Sequence, residues 1–201
     1  MRLAAALEHT WLYRMWQAPF AERKLAPVLA HNDLRRARLV LDVACGPGTN
    51  THHFRDVDYI GVDLSERYIA AARRRHGRTY VVADVGACPL TGERFDFILA
   101  NSFLHHVDTP TAERILSHLA ALLTVDGHVH VLDLVLPHDR SVARWLARLD
   151  RGTHARSLPD WWQLLTRRFE PVVFEPYALA WCGVTLWSMV YFKGRARRSA
   201  A

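Results

Sequence analysis

The residue types in this chain that can do chemistry are gathered at the ends of short apolar runs. The first, Leu39-Val-Leu-Asp42-Val-Ala44-Cys-Gly46-Pro-Gly48-Thr-Asn50, passes from apolar residues through an acid to small residues and then to a Thr-Asn pair. That order predicts a buried strand, a tight turn and the start of a helix. Gly46 and Gly48 permit positive φ and a close backbone approach, and the unpaired N–H groups of a helix start attract an electron-rich ligand group. The stretch therefore reads as a nucleotide-binding junction. A strand-to-helix turn that uses glycine for geometry alone looks the same. Two more acids, Asp63 and Asp84, close the second and third runs, and Asn101 closes the fourth.

Histidine supplies the candidate proton-transfer groups, because an unperturbed imidazole titrates near neutral pH. His105 and His106 follow the fourth run and are the base candidates; a turn cap or a backbone hydrogen bond is the competing role. His128 and His130 stand two apart in a strand-like run and so share a face, but they lack a nearby third ligand, and no metal site is expected. His52 and His53 read as surface residues of the helix after the first turn.

Elements that alternate strand with helix must position these groups. Strands are expected at the apolar run that ends in Asp42 and at 58–64, 79–84, 95–100 and 127–135, with helices at 65–76, capped by Ser65, and at 110–123. This alternation implies a parallel sheet wound on both faces, in which ligands lie beyond the carboxyl ends of the strands where strand order reverses. Residues 2–31 read as helical with a break near Pro19, and Leu12, Tyr13, Trp16 and Phe20 give one aromatic face. That face either packs on the sheet edge or forms a lid with Tyr13 or Trp16 toward a ligand. After Pro137 the rhythm changes: Val142, Trp145, Leu146 and Leu149 mark an amphipathic helix, and Ser157-x-x-Asp160 a capping box for another. Strand-like runs at 172–181 and 184–192, joined by Cys182-Gly183, read as a hairpin, and the tail from Lys193 as disordered, with Arg195, Arg197 and Arg198 available to a polyanion.

The chain has 201 residues, half of them hydrophobic and 23% charged, which suits one well-cored domain and argues against extended disorder. Its formal charge of +6 is concentrated in local arginine clusters and does not by itself specify a polyanionic partner. Cys45, Cys88 and Cys182 are far apart and form no C-x-x-C pair, which fits a reducing compartment. The apolar start of the chain stops at Glu8-His9 with no small-residue cleavage pattern, so a cytoplasmic protein is expected.

A dinucleotide fingerprint would place a third glycine where Thr51 stands, and a P-loop would require a lysine that is absent. Taken together, Asp42-Val-Ala-Cys-Gly-Pro-Gly48, Gly61-Val-Asp63-Leu-Ser65, Ala83-Asp84-Val85 and Phe95-Asp-Phe-Ile-Leu-Ala-Asn101 resemble the ordered motifs of class I S-adenosylmethionine-dependent methyltransferases. The resemblance covers roughly residues 37–136. It implies a single Rossmann-like, doubly wound α/β sheet, mostly parallel with an antiparallel C-terminal strand and helices on both faces. The chain then divides into a helical lid at 1–36, a cofactor-binding core at 37–136, a helical substrate-side insertion at 137–170, a strand pair at 171–193 and a tail at 194–201.

The resemblance further implies S-adenosyl-L-methionine as cofactor and S-adenosyl-L-homocysteine as product. Asp42, Ala44, Gly46 and Gly48 would hold the amino-acid end, Asp63 the ribose hydroxyls beside Leu64, and Asp84 the adenine amino group beside Val85, with Asn101 next to the cofactor. Ala44 stands where the family usually has its first glycine. Methyl transfer from a sulfonium is an in-line displacement governed by positioning, and a base such as His105 or His106 matters only for certain acceptors. Tyr13, Trp16 and Trp145 are the substrate-pocket candidates, with Trp161 and Trp162 near them in the chain; core packing is the competing role for these tryptophans. The expected activity is methylation of a small-molecule or lipid-like acceptor. RNA or protein as acceptor, or a non-catalytic cofactor-binding partner subunit, are the alternatives.

Overall fold

A computed structural model describes residues 10–86, 94–149 and 153–197, apart from the side chains of residues 10–19 and 21. Seven strands form one sheet: β1 (Leu39–Val43), β2 (Asp58–Asp63), β3 (Thr79–Val82), β4 (Phe95–Asn101), β5 (Leu123–Leu134), β6 (Phe169–Trp181) and β7 (Val184–Ala196). Their order is β3-β2-β1-β4-β5-β7-β6, with β7 antiparallel to both neighbours and the β1 to β5 pairings parallel. The helices are α1 (Thr10–His31), α2 (Glu66–His76), α3 (Thr109–Leu122), α4 (Val142–Leu149) and α5 (Leu158–Thr166).

Period-two alternation explains why both faces are covered. Leu41 and Val43 of β1, Ile98 and Ala100 of β4, and Val129 and Val131 of β5 enter one core with α3 and α5. Val40, Phe97, Leu99 and Leu132 point the other way, into a core with Leu25 and Val28 of α1 and Ile69 and Ala72 of α2. A third cluster joins Phe20 to Leu134, Ala147, Trp187 and Met189 beneath α4. Strand order reverses between β1 and β4, so the carboxyl ends of these strands open onto the crevice where such sheets bind ligands. Among the described residues no helix is long and apolar enough to cross a membrane.

Local chemistry sets the element ends. Ser65 caps α2 by accepting from the Tyr68 amide, and Gly77 ends it in the left-handed region at φ +59°. Asp108 caps α3, and Ser157 and Asp160 form the expected reciprocal capping box on α5.

Three expectations are corrected. No α-helix follows the first turn: only the 3-10 turn Thr51–His53 fits in the short span before β2, so a helix dipole contributes nothing there. α1 continues through Pro19 and Pro27 rather than breaking, held by burial of Phe20, Leu25 and Val28. The segment from Lys193 to Ala196 is ordered in β7, paired with β5 and β6, and the rest of the tail beyond Arg197 lies outside the described residues.

Candidate active site

Asp42 lies near the end of β1, fully buried. Its Oδ2 accepts from the Tyr59 hydroxyl at 2.8 Å and from Asn50 Nδ2 at 3.3 Å, while Oδ1 is buried with no partner. Thr51 donates to Tyr59 at 3.2 Å and therefore accepts from Tyr80 at 2.7 Å, so a chain of hydroxyl protons runs toward the Asp42 carboxylate. Burial, offset in part by the Tyr59 and Asn50 hydrogen bonds, raises the Asp42 carboxyl to about 7. A buried carboxylate oxygen without a donor is costly, and it is the vacancy that a cationic or N–H group of a ligand can fill.

The turn after β1 is built from left-handed residues: Ala44 at φ +54°, Gly46 at +55° and Gly48 at +79°. The two glycines serve different ends. A Cβ on Gly46 would meet nothing within 4 Å, whereas one on Gly48 would lie 2.7 Å from His76 Cδ2 and 2.8 Å from the Tyr80 hydroxyl. Gly46 thus faces open space, and Gly48 is required for packing of the turn onto α2 and β3. Ala44 adopts the conformation that favours glycine, which locates the family departure at a strained backbone position.

Asp63 closes β2 and ties the turn to α2: Oδ2 accepts from the Gly46 amide at 2.9 Å and Oδ1 from the Ser65 amide at 2.8 Å. Each oxygen keeps a second lone pair for an outside donor. Beside it Leu64 is 69% exposed, a large apolar side chain offered to a flat apolar partner. β3 ends at Val82, two residues before Asp84, whose Oδ1 accepts from the Gly86 amide at 2.8 Å; Val85 is buried in the core. At the end of β4, Asn101 donates to Asn50 at 3.3 Å and accepts from Ser102 at 3.1 Å, and Lys24 of α1 reaches the Ser102 hydroxyl at 3.2 Å. Asp42, Asn50, Asn101, Ser102 and Lys24 therefore form one continuous polar chain.

His105 and His106 lie on a 3-10 turn, Leu104–His106, beyond β4. Their environments differ. His105 is buried and its Nδ1 lies 2.5 Å from Oδ1 of Asp133, while His106 is exposed and stacks beside it with ring centroids 4.0 Å apart. Asp133, on β5, also accepts from the Leu104 and Leu134 amides at 2.8 and 2.7 Å. Against a carboxylate, Nδ1 carries a proton, so Asp133 orients the ring. The sequence missed Asp133, although an acid interrupting the apolar fifth strand was a visible signal; it offered Asn50 only as part of a helix start and gave no role to Tyr59 or Lys24.

The aromatic candidates separate. Trp161 is fully buried, donates to the Leu134 carbonyl at 2.9 Å and lies under the Arg156 guanidinium, which places it in the core. Trp162 packs edge-on against Phe174. Trp145 is 62% exposed on α4, away from the buried Ala143 and Ala147. The side chains of Tyr13 and Trp16 lie outside the described residues. His130 stacks on Phe97 at 3.8 Å and bonds Tyr191, with burial holding it neutral well below the usual range, and His128 accepts from Arg195. Both are accounted for by the sheet.

A methyltransferase-domain family model matches residues 40–127. The chain is 30% identical to a trans-aconitate 2-methyltransferase of Methylobacterium radiotolerans over 89% of this chain and 70% of that protein. It is 34% identical to the malonyl-[acyl-carrier protein] O-methyltransferase of Enterobacter lignolyticus over 43% of this chain, and there it spans only 36% of the relative's length. Its fold resembles that of the N-methyltransferase NodS from Bradyrhizobium japonicum in complex with S-adenosyl-L-homocysteine, with a TM-score of 0.68, 16% identity, and coverage of 90% and 88% of the two chains.

Proposed function

Because the chain belongs to the class I S-adenosylmethionine-dependent methyltransferases, we propose that it transfers a methyl group to a small-molecule or lipid-like acceptor by in-line displacement. S-adenosylmethionine is its cofactor and supplies, when bound, a methyl group already activated by positively charged sulfur. The observation that carries the reading is the set of acids Asp42, Asp63 and Asp84 at or beyond the ends of three adjacent strands, with one buried Asp42 oxygen lacking a donor.

The donor set fits the group. Asp42 would receive the amino end beside the open face of Gly46, and Asp63 would accept from ribose hydroxyls with its remaining lone pairs. Leu64 would cover the purine, Asp84 would accept its amino group beside the Val85 backbone, and Asn101 would border the reacting end. Ala44 and Gly48 shape the turn around these contacts. α1, through Lys24, and the 137–170 segment form the acceptor side as lid and insertion, flanking the 37–136 core. His105, aligned by Asp133, is the proton acceptor for a hydroxyl or other protonated acceptor, with His106 the second candidate. The name of one relative, a trans-aconitate 2-methyltransferase, supports an acceptor of small-molecule type.

The test is transfer of label from methyl-labelled S-adenosylmethionine into a cell extract, fractionated into small molecules, lipid, RNA and protein. Label in the small-molecule or lipid fraction is expected. Label in RNA or protein would overturn the acceptor class, and tight cofactor binding without transfer into any fraction would favour a non-catalytic subunit. Asp63→Ala should abolish cofactor binding, and wild-type affinity in that variant would remove the ribose assignment.

A further inference from the structure

We propose that Glu22, His52 and His53 bind a divalent transition-metal ion of the zinc class, and that the ion ties α1 to the turn carrying Gly46 and Gly48. Both imidazoles direct Nε2 at one carboxylate: His52 lies 2.9 Å from Oε1 of Glu22 and His53 3.5 Å from Oε2. The three ligand atoms fall within 4.8 Å of one another. A tetrahedral zinc with bonds of about 2.0–2.1 Å holds its ligands roughly 3.4 Å apart, a spacing that lies within the range of these separations.

The surroundings of His52 favour this use. Its Nδ1 lies 3.1 Å from the Thr49 carbonyl, a contact that only an N–H can make. With Nδ1 committed to that backbone carbonyl, which fixes the ring orientation from behind, Nε2 is the nitrogen turned to Glu22 and the one that would take a metal in place of its proton. The His53 ring lies beside it, with ring centroids 3.9 Å apart, so both rings converge on the same carboxylate. One divalent ion answers all three ligands together.

Two imidazoles and a carboxylate suit zinc, cobalt, nickel or copper better than magnesium or calcium. Glu22 and His52 are 65% and 41% exposed, which leaves a fourth position open to water. Arg55, donating to the His52 carbonyl, holds the backbone of the histidine pair. The third ligand comes from α1, thirty residues earlier in the chain, which is why paired histidines alone gave no metal pattern in sequence.

The proposal does not depend on the methyltransferase reading. Chelator-stripped protein is titrated with zinc against a chromophoric competitor, using wild type, Glu22→Gln, His52→Ala, His53→Ala and, as a control for other imidazoles, His128→Ala. One equivalent should bind to wild type and to His128→Ala, and each of the three ligand variants should weaken binding about tenfold or more. Glu22→Gln keeps the exposed side chain's shape, so its loss of affinity is separable from misfolding. Cobalt should give the intense visible bands of a four-coordinate site. Zinc should slow amide exchange in residues 22–31 of wild type and not of His52→Ala. Absence of saturable binding at submillimolar zinc, or equal binding by wild type and the ligand variants, overturns the site; binding without slowed exchange overturns the tie to α1.

Discussion

Asp42→Asn separates what the buried carboxylate costs the fold from what it does for a ligand. Burial raises the Asp42 carboxyl from 3.8 to about 7 in the folded protein. The folded state therefore holds a proton that the unfolded state has lost between these two values, and stability falls as pH rises from about 4 to 7. The difference of 7 − 3.8 = 3.2 pKa units corresponds to a ceiling of about 4 kcal/mol at roughly 1.4 kcal/mol per unit. Asparagine has the same shape and no titration, and any cost of its amide hydrogen bonds applies at both ends of the range. The stability of Asp42→Asn relative to wild type should thus improve by about 2–4 kcal/mol between pH 4.5 and pH 8, read from urea unfolding at the two values. The same substitution should weaken S-adenosyl-L-homocysteine binding, and calorimetry in buffers of different ionisation enthalpy should show proton release by wild type near pH 6 and none by the variant. A relative stability that changes by less than about 0.5 kcal/mol across this range would refute the account of the buried charge.

Other substitutions test the turn and the histidine. Ala44→Gly relieves a left-handed alanine at φ +54°; against about 1–2 kcal/mol of strain the unfolded chain gains entropy worth about 0.4–1 kcal/mol, so a modest rise in the urea midpoint is expected. Gly48→Ala meets both positive φ and the His76 and Tyr80 side chains and should cost more than about 2 kcal/mol, while Gly46→Ala should cost about 1 kcal/mol and act mainly on cofactor affinity; the reverse order in thermal unfolding would contradict the packing assigned to the two glycines. Asp133→Asn removes the charge-assisted bond to His105 inside the core and should cost about 2–4 kcal/mol, with a change in the His105 tautomer seen by nitrogen NMR; an unchanged tautomer would show that Asp133 does not set it.

The parallel half of the sheet was legible because its strands are apolar runs, the first three closed by acids and the fourth by Asn101, a pattern that signals burial and strand end together. The capping signals of α2 and α5 are equally local, since Ser65 and the Ser157 to Asp160 pair act within one turn. What failed depended on distance. The helix expected after Asn50 lost to the short tether before β2, and Asn50 turned its side chain to Asp42 instead of capping a helix. The tail became strand because β5 and β6 supply ladder partners that no local propensity reveals. Asp133 was visible as an acid in an apolar strand, but its partner lies 28 positions away and comes alongside only when β5 pairs with β4. The two glycines of the first turn read alike in sequence, and their difference appears only once α2 and Tyr80 are packed against one of them.

Placement of α1 is the step that joins the site's two halves. Lys24 approaches the end of β4 through Ser102, a residue held at φ +55° by its amide bond to the Leu132 carbonyl. From Ser102 the hydrogen bonds pass through Asn101 and Asn50 to the same Asp42 carboxylate that the Tyr80–Thr51–Tyr59 chain reaches from β2 and β3. Glu22 stands two residues before Lys24 and contacts the turn at His52 and His53. α1 is therefore fastened at both sides of the β1 turn, by a cation at the β4 end and by a carboxylate at the histidine pair. A displacement of this helix cannot leave Asp42 undisturbed, because the Asn50 amide that helps hold its charge is itself held by Asn101. The position of α1 and the environment of the Asp42 carboxylate are in this way parts of one hydrogen-bonded unit.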